Sequence, residues 1–149
     1  MDHSSRTAIS RRSLSAPSRY LYEAGLLRGR VLDFGCGRGD IVRFVPGIAA
    51  EQFDPTWYPE RPEGKFDTIV MNYVVCVLPP LRRSEALADA VSYLGPDGVL
   101  YIGVRRDVRM LGATSRGTEQ FDVHMDLPVE VNRSGRFCIY RFNASAVDG

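Results

Sequence analysis

The chain has 149 residues, 44% of them hydrophobic and 25% charged, with a formal net charge of +1. That length holds one core and hence one domain, and no apolar run approaches the ~20 residues of a membrane span. The leading stretch "MDHSSRTAISRRSLSAP" carries arginine but no apolar h-region, which argues against a secretory signal and makes a cytoplasmic protein the expectation.

Three segments are expected: an arm and cap helix over 1–29, a ligand-binding core over 30–104, and a basic loop with a terminal hairpin over 105–149. In the first, "SRYLYEAGLL" spaces Tyr20, Leu21, Ala24 and Leu27 on one helical face, stopped by Gly29. "RVLDF" reads as a buried strand. After the glycines that follow it, Ile41, Val42 and Val45 form one helical stripe ended by Pro46 and Gly47. "IAAEQFD" is a second strand ending in Asp54, and "PTWYPERPEGK" a loop. "FDTIVMN" opens a nearly continuous apolar run, as a central parallel strand requires. "LRRSEALADAVSYL" is a helix with Leu81, Leu87, Val91 and Leu94 inward, and "GPDG" turns the chain into the strand "VLYIGVRR". "QFDVHMDLPVEV" and "RFCIYRFN" alternate around "NRSG" as an antiparallel hairpin. Strands alternating with helices imply an open α/β fold with a mostly parallel sheet.

Cys36, Cys76 and Cys138 are odd in number and widely spaced, and His3 and His124 are the only histidines. A disulfide framework and a metal site are therefore not expected. Charge is uneven. Residues 1–30 hold six arginines against two acids, 31–104 six bases against ten acids, and 105–149 seven arginines against six acids.

The chemistry concentrates in "VLDFGCGRGD". Gly35, Gly37 and Gly39 fall where a strand gives way to a helix, the place where an open sheet binds ligands, and they let the backbone turn sharply and come close to one. Asp33 anchors that turn or accepts from a ligand ammonium or hydroxyl. Asp54, at the end of the second strand, can accept both hydroxyls of a ribose. A nicotinamide-type loop would read GxGxxG and a P-loop GxxxxGK, and an acid before the turn would repel a pyrophosphate. A cofactor with cationic groups suits the turn better, and S-adenosylmethionine has both a sulfonium and an ammonium.

"VLDFGCGRGD", the "FD" closing the second strand, "KFDTIVMNYVVCVLP" and "LGPDGVLYIGV" together resemble the class I S-adenosylmethionine-dependent methyltransferases over about residues 30–104. "TAISR" and "TSRGT" add a similarity to small phage and bacterial methyltransferase-like proteins related to those encoded beside DNA phosphorothioation systems. The resemblance implies a Rossmann-like fold and an enzyme that uses S-adenosylmethionine. It puts Asp33, Gly35, Cys36, Gly37 and Gly39 at the cofactor's amino acid end, Asp54 on its ribose, and Asn72 and Tyr73 beside the methyl group, where they can orient and stack on an acceptor. Only Pro55 to Lys65 separate the second strand from the central one, too few for the strand and helix the family has there. One βα unit is missing, so the wall around the adenine must come from Pro55, Trp57, Tyr58 or the leading arm.

"NYVV" lacks both prolines of the (D/N/S)PP(Y/F) segment found in DNA amino methyltransferases, which argues against that reaction. Arg6, Arg105 and Arg116, with Tyr73, are the expected acceptor contacts. Two basic segments framing an acidic core would attract an anionic acceptor, either a small molecule or a nucleic acid. The alternative is a domain that binds S-adenosylmethionine, or a partner, without transferring a methyl group.

Overall fold

The computed structural model describes residues 14–35, 39–45, 47–107 and 120–145. Helix α1 (Ala16–Glu23) leads into strand β1 (Val31–Phe34), the short helix α2 (Ile41–Phe44) and strand β2 (Ala50–Phe53). Strand β3 (Phe66–Asn72) follows, then a 3-10 turn at Val75–Val77, helix α3 (Pro80–Ser92), strand β4 (Leu94–Arg105), and the hairpin β5 (Val129–Arg133) and β6 (Phe137–Asn143). The six strands form one sheet in the order β2-β1-β3-β4-β6-β5. β1 pairs in parallel with β2 and β3, and β3 with β4, whereas β6 runs antiparallel to both β4 and β5.

Alternating side chains bury both faces of the sheet, which is why its central strands read as unbroken apolar runs. Val31, Val70, Tyr101 and Ile139 pack with Leu21 of α1 and Ile41 of α2 on one face. Leu32, Ile69, Met71, Leu100 and Ile102 pack with Ala90 of α3 on the other. β2 is an edge strand, and the chain passes from it to β3 through residues 54–65 with no helix or strand between. The expected reduction of the fold by one βα unit, with a mixed sheet and an antiparallel end, describes this architecture.

Local expectations differ at five places, the first being the hairpin, whose leading strand is Val129–Arg133 alone: 120–128 carry no strand, and Asn132 and Arg133 of the expected turn belong to β5. α1 ends at Glu23, with Gly25 at φ 71° supplying the left-handed turn, four residues before Gly29. Val42 is exposed, because α2 is only one turn long and Ile41 and Val45 suffice to cover the sheet. On α3 the small side chains Ala86 and Ala90 approach the core beside Leu87, while Leu81 is 74% exposed and Val91 also points outward; Leu94 already belongs to β4. Finally, "GPDG" is an irregular stretch inside β4: Phe66 pairs with Leu94 and Thr68 with Val99, so the extra residues bulge between them.

Candidate active site

The order of strands places a topological switch at β1, whose successor β2 lies on one side and β3 on the other, so a crevice opens beyond their carboxyl ends. Gly35 closes β1 at φ 71°, with its N–H donating to the Phe53 carbonyl at 2.8 Å. A Cβ at Gly35 would stand 2.5 Å from Val74 Cγ2, so the glycine is required by close packing of the β1 and β3 exits. Gly39, at φ 79°, meets the Gln52 side chain in the same way. Cys36 and Gly37, between them, lie outside the described residues.

Asp33, the residue before Phe34 in the crevice wall, is buried, and its Oδ2 has no hydrogen-bond partner among the described residues. Burial raises its pKa well above the ordinary carboxylate range. The neighbouring charges of Asp40 and Asp54 add to that, and a hydrogen bond from the Ile41 N–H opposes it. Asp33 is thus pushed toward its neutral form beside the charges of Asp40 and Asp54, and no grouping of His, Cys, Asp or Glu among the described residues is fit to hold a metal. Asp54 itself is fully buried. Its Oδ1 accepts the N–H groups of Thr56 at 2.9 Å and Trp57 at 3.1 Å, which ties the turn leaving β2.

At the exit of β3, Asn72 donates through Nδ2 to Ser18 Oγ at 3.0 Å, while its buried Oδ1 has no partner among the described residues. Ser18 Oγ in turn accepts from Ser15 Oγ, and the Ser15 N–H donates to Asp40 at 2.9 Å. The cap helix α1 is therefore docked on the carboxyl ends of β1 and β3 by polar contacts across 25 and 54 residues. Tyr73 follows at φ 60°, a left-handed conformation that costs a bulky residue of order 1–3 kcal/mol. Its N–H donates to the Gly103 carbonyl, which holds it in place.

Arg105 lies with its guanidinium 5.5 Å from the Tyr73 ring centre and donates two hydrogen bonds, at 2.9 and 2.8 Å, to the Asp107 carboxylate. These bonds pull the Asp107 pKa below its ordinary value. The charge of Arg105, expected to face an acceptor, is thus committed to Asp107 two residues on. Arg106 is committed as well, donating to the Tyr140 hydroxyl and the Val123 carbonyl at 2.7 Å. Arg6 and Arg116 lie outside the described residues. Cys76 and Cys138 are buried free thiols, and burial pushes Cys76 up to about 11, away from nucleophilic use.

A cleft of about 700 Å³ runs from the Gly35 turn under α3, floored by Phe34, Phe53, Pro55, Val74, Val77 and Leu78. Arg61 and Asp89 stand at its outer side, with Arg61 Nη1 2.7 Å from Asp89 Oδ1 and 3.2 Å from the Tyr93 hydroxyl. The structure therefore brings Asp33, Gly35, Gly39, Asp54, Pro55, Asn72, Tyr73 and Arg105 to one end of the sheet. Sequence reasoning missed Ser15, Ser18, Arg61 and Asp89, whose partners are remote in the chain.

The methyltransferase-domain family model matches residues 6–141. No curated protein matches the chain significantly. Among solved structures, one described for the conversion of a disulfide bond into a thioacetal group during echinomycin biosynthesis is 18% identical, with a TM-score of 0.62 over 91% of this chain and 85% of that one. The 1,6-didemethyltoxoflavin-N1-methyltransferase of Burkholderia thailandensis, bound to its substrate and S-adenosylhomocysteine, is 18% identical with a TM-score of 0.55 over 86% and 76%. An O-methyltransferase family protein of the same organism is 15% identical with a TM-score of 0.54 over 87% of this chain but 56% of that one. At such identities the likeness is one of fold, and the matched family carries the assignment. The chain belongs to the methyltransferase-domain family, whose members are transferases that take the methyl group from S-adenosylmethionine.

Proposed function

We propose that the carboxyl ends of β1, β2 and β3 hold S-adenosylmethionine and that the domain methylates a small-molecule acceptor admitted beside Asn72 and Tyr73. The observation that carries this is the pair of buried oxygens without partners, Asp33 Oδ2 and Asn72 Oδ1, on adjacent strands. Two acceptors in a negative corner suit a ligand that brings donors and positive charge, and the cofactor's ammonium supplies both. A pyrophosphate would meet the repulsion of Asp40 and Asp54 instead.

When bound, the cofactor supplies a methyl group already activated by sulfonium, so the chain's own work is alignment and exclusion of water. Gly35 keeps the β1 exit tight against Val74, and Asp54 shapes the turn that presents Pro55. Helix α1 holds Asn72 through Ser18. Tyr73, held in its left-handed conformation with Arg105 over its ring, stands beside Asn72 where an acceptor would be aligned. A small acceptor is favoured over a nucleic acid because Arg105 and Arg106 are already paired within the protein, which leaves them little to gain from a phosphate backbone.

The test is release of S-adenosylhomocysteine from S-adenosylmethionine in the presence of small phenols, amines, thiols and carboxylates, in parallel with RNA and DNA oligonucleotides. Turnover on a small molecule, little changed between 50 and 300 mM salt, supports the proposal. Turnover confined to oligonucleotides and falling steeply with salt overturns the acceptor class. The burial of Asp54 within its own turn and the absent βα unit favour, as a second reading, a domain that binds the cofactor without transfer. Calorimetric binding of S-adenosylmethionine with no product on any acceptor would support that reading.

A further inference from the structure

Among the described residues, four buried side-chain polar atoms have no hydrogen-bond partner, and each is an oxygen: Asp33 Oδ2, Gln52 Oε1, Asn72 Oδ1 and Gln120 Oε1. Asp33 and Asn72 belong to the site described above, and Gln52 lies on the edge strand β2. Gln120 stands apart from these, at a corner where three parts of the chain meet. The Phe121 N–H donates to the Cys76 carbonyl at 2.7 Å, which pins residue 120 beside the 3-10 turn that follows Tyr73. The Cys76 thiol accepts from the Arg105 N–H and feels the charges of Arg105 and Asp107, so the end of β4 reaches the same residue. Arg83 of α3 fixes the corner. It donates to the Val75 and Leu78 carbonyls at 3.3 and 3.1 Å, with its guanidinium 5.5 Å from the Phe121 ring centre.

We infer that Gln120 is a specificity residue for the methyl acceptor, and that the acceptor presents an N–H or O–H donor to Gln120 Oε1 in place of an anionic group. This deepens the proposed function and rests on it. The arginines of the corner are spent inside the protein: Arg83 on the two carbonyls of the turn, Arg105 on Asp107, and Arg106 on Val123 and Tyr140. What the corner leaves over is an oxygen, not a cation. A buried carbonyl oxygen without a partner has given up its hydration, and a ligand that brings a donor restores the lost bond, whereas an anion brings only further lone pairs. Such a site rejects an analogue that lacks the donor, because the oxygen then stays unpaired. The anionic acceptor expected from the basic segments follows from counting arginines, and the count does not show which of them are already paired.

The experiment saturates the full chain with S-adenosylhomocysteine, whose own affinity is measured by calorimetry, and then titrates three probes at pH 8 by saturation-transfer NMR. Benzimidazole carries a ring N–H, 1-methylbenzimidazole has the same ring without it, and benzoate is an anion. Benzimidazole is expected to bind at least ~5-fold more tightly than either of the others, the effect of one net hydrogen bond. Gln120→Leu is expected to weaken benzimidazole about 5-fold while the affinities for 1-methylbenzimidazole and S-adenosylhomocysteine stay as they are. Gln120→Glu, which keeps an acceptor oxygen, is expected to keep the preference for the N–H probe. Gln120→Met, which keeps the length of the side chain, gives the same reading as the leucine variant if that one does not fold. Benzoate as the tightest probe, a preference for benzimidazole that survives in Gln120→Leu, or no binding of benzimidazole overturns the inference and leaves the cofactor reading standing. A wild-type protein that does not bind S-adenosylhomocysteine removes the proposed function, and this inference with it.

Discussion

In the centre of the sheet, β1, β3 and β4 each have a partner on both sides and their inward residues Leu32, Ile69, Met71, Leu100 and Ile102 are essentially inaccessible. At the β2 flank the strand is paired on one side only. The chain there is held by Arg30 to Glu51 at 2.6 Å, by Arg61 to Asp89 at 2.7 Å, and by the Asp54 turn. The centre rests on burial, which is insensitive to salt. The flank rests on charge and turn geometry, which salt and pH reach. A domain that has shed one βα unit keeps its core intact, and it rebuilds only the border of the ligand site with polar contacts.

The contrast predicts a graded set of effects. Ile69→Ala removes a fully buried side chain from the centre and is expected to cost about 3 kcal/mol in urea unfolding; a cost below about 1 kcal/mol would mean that this core is loosely packed. Gly35→Val joins a positive φ to a 2.5 Å collision with Val74, and about 2–3 kcal/mol is expected along with loss of S-adenosylhomocysteine binding. Asp33→Asn separates binding from stability. Its folded pKa is raised, so the carboxyl's contribution to stability is full below the ordinary value near 3.8 and is lost as pH rises through the raised one. At pH 8 the variant is expected to melt no lower than the wild type, and at pH 4 the wild type regains ground. Binding falls by about 10- to 100-fold, the usual loss for a hydrogen bond to a charged group. A variant that melts lower at pH 8 would show that the ionised carboxylate stabilises the fold. At the flank, Arg30→Ala is expected to cost less than about 1 kcal/mol at low salt and nothing measurable at 1 M salt, because the pair is exposed.

How much of this the sequence discloses follows the same division. Near-continuous burial over "VLDF" and "FDTIVMN" is set by local residues, so the central strands and the acid-glycine turn are legible without coordinates. The inward face of α3 is not, because Ala86 and Ala90 press toward the core by being small and a count of large apolar residues selects Leu81 and Val91. Asp54 is legible as an acid at a strand end, but not as one consumed by its own turn. The polar links Ser18 to Asn72 and Arg61 to Asp89 join residues 54 and 28 apart, and neither leaves any periodic trace.

The most direct test of the account is a crystal structure with S-adenosylhomocysteine bound. The predicted result has the ligand ammonium within hydrogen-bond distance of Asp33 Oδ2 and Asn72 Oδ1. An ammonium that leaves both buried oxygens unpaired would contradict it.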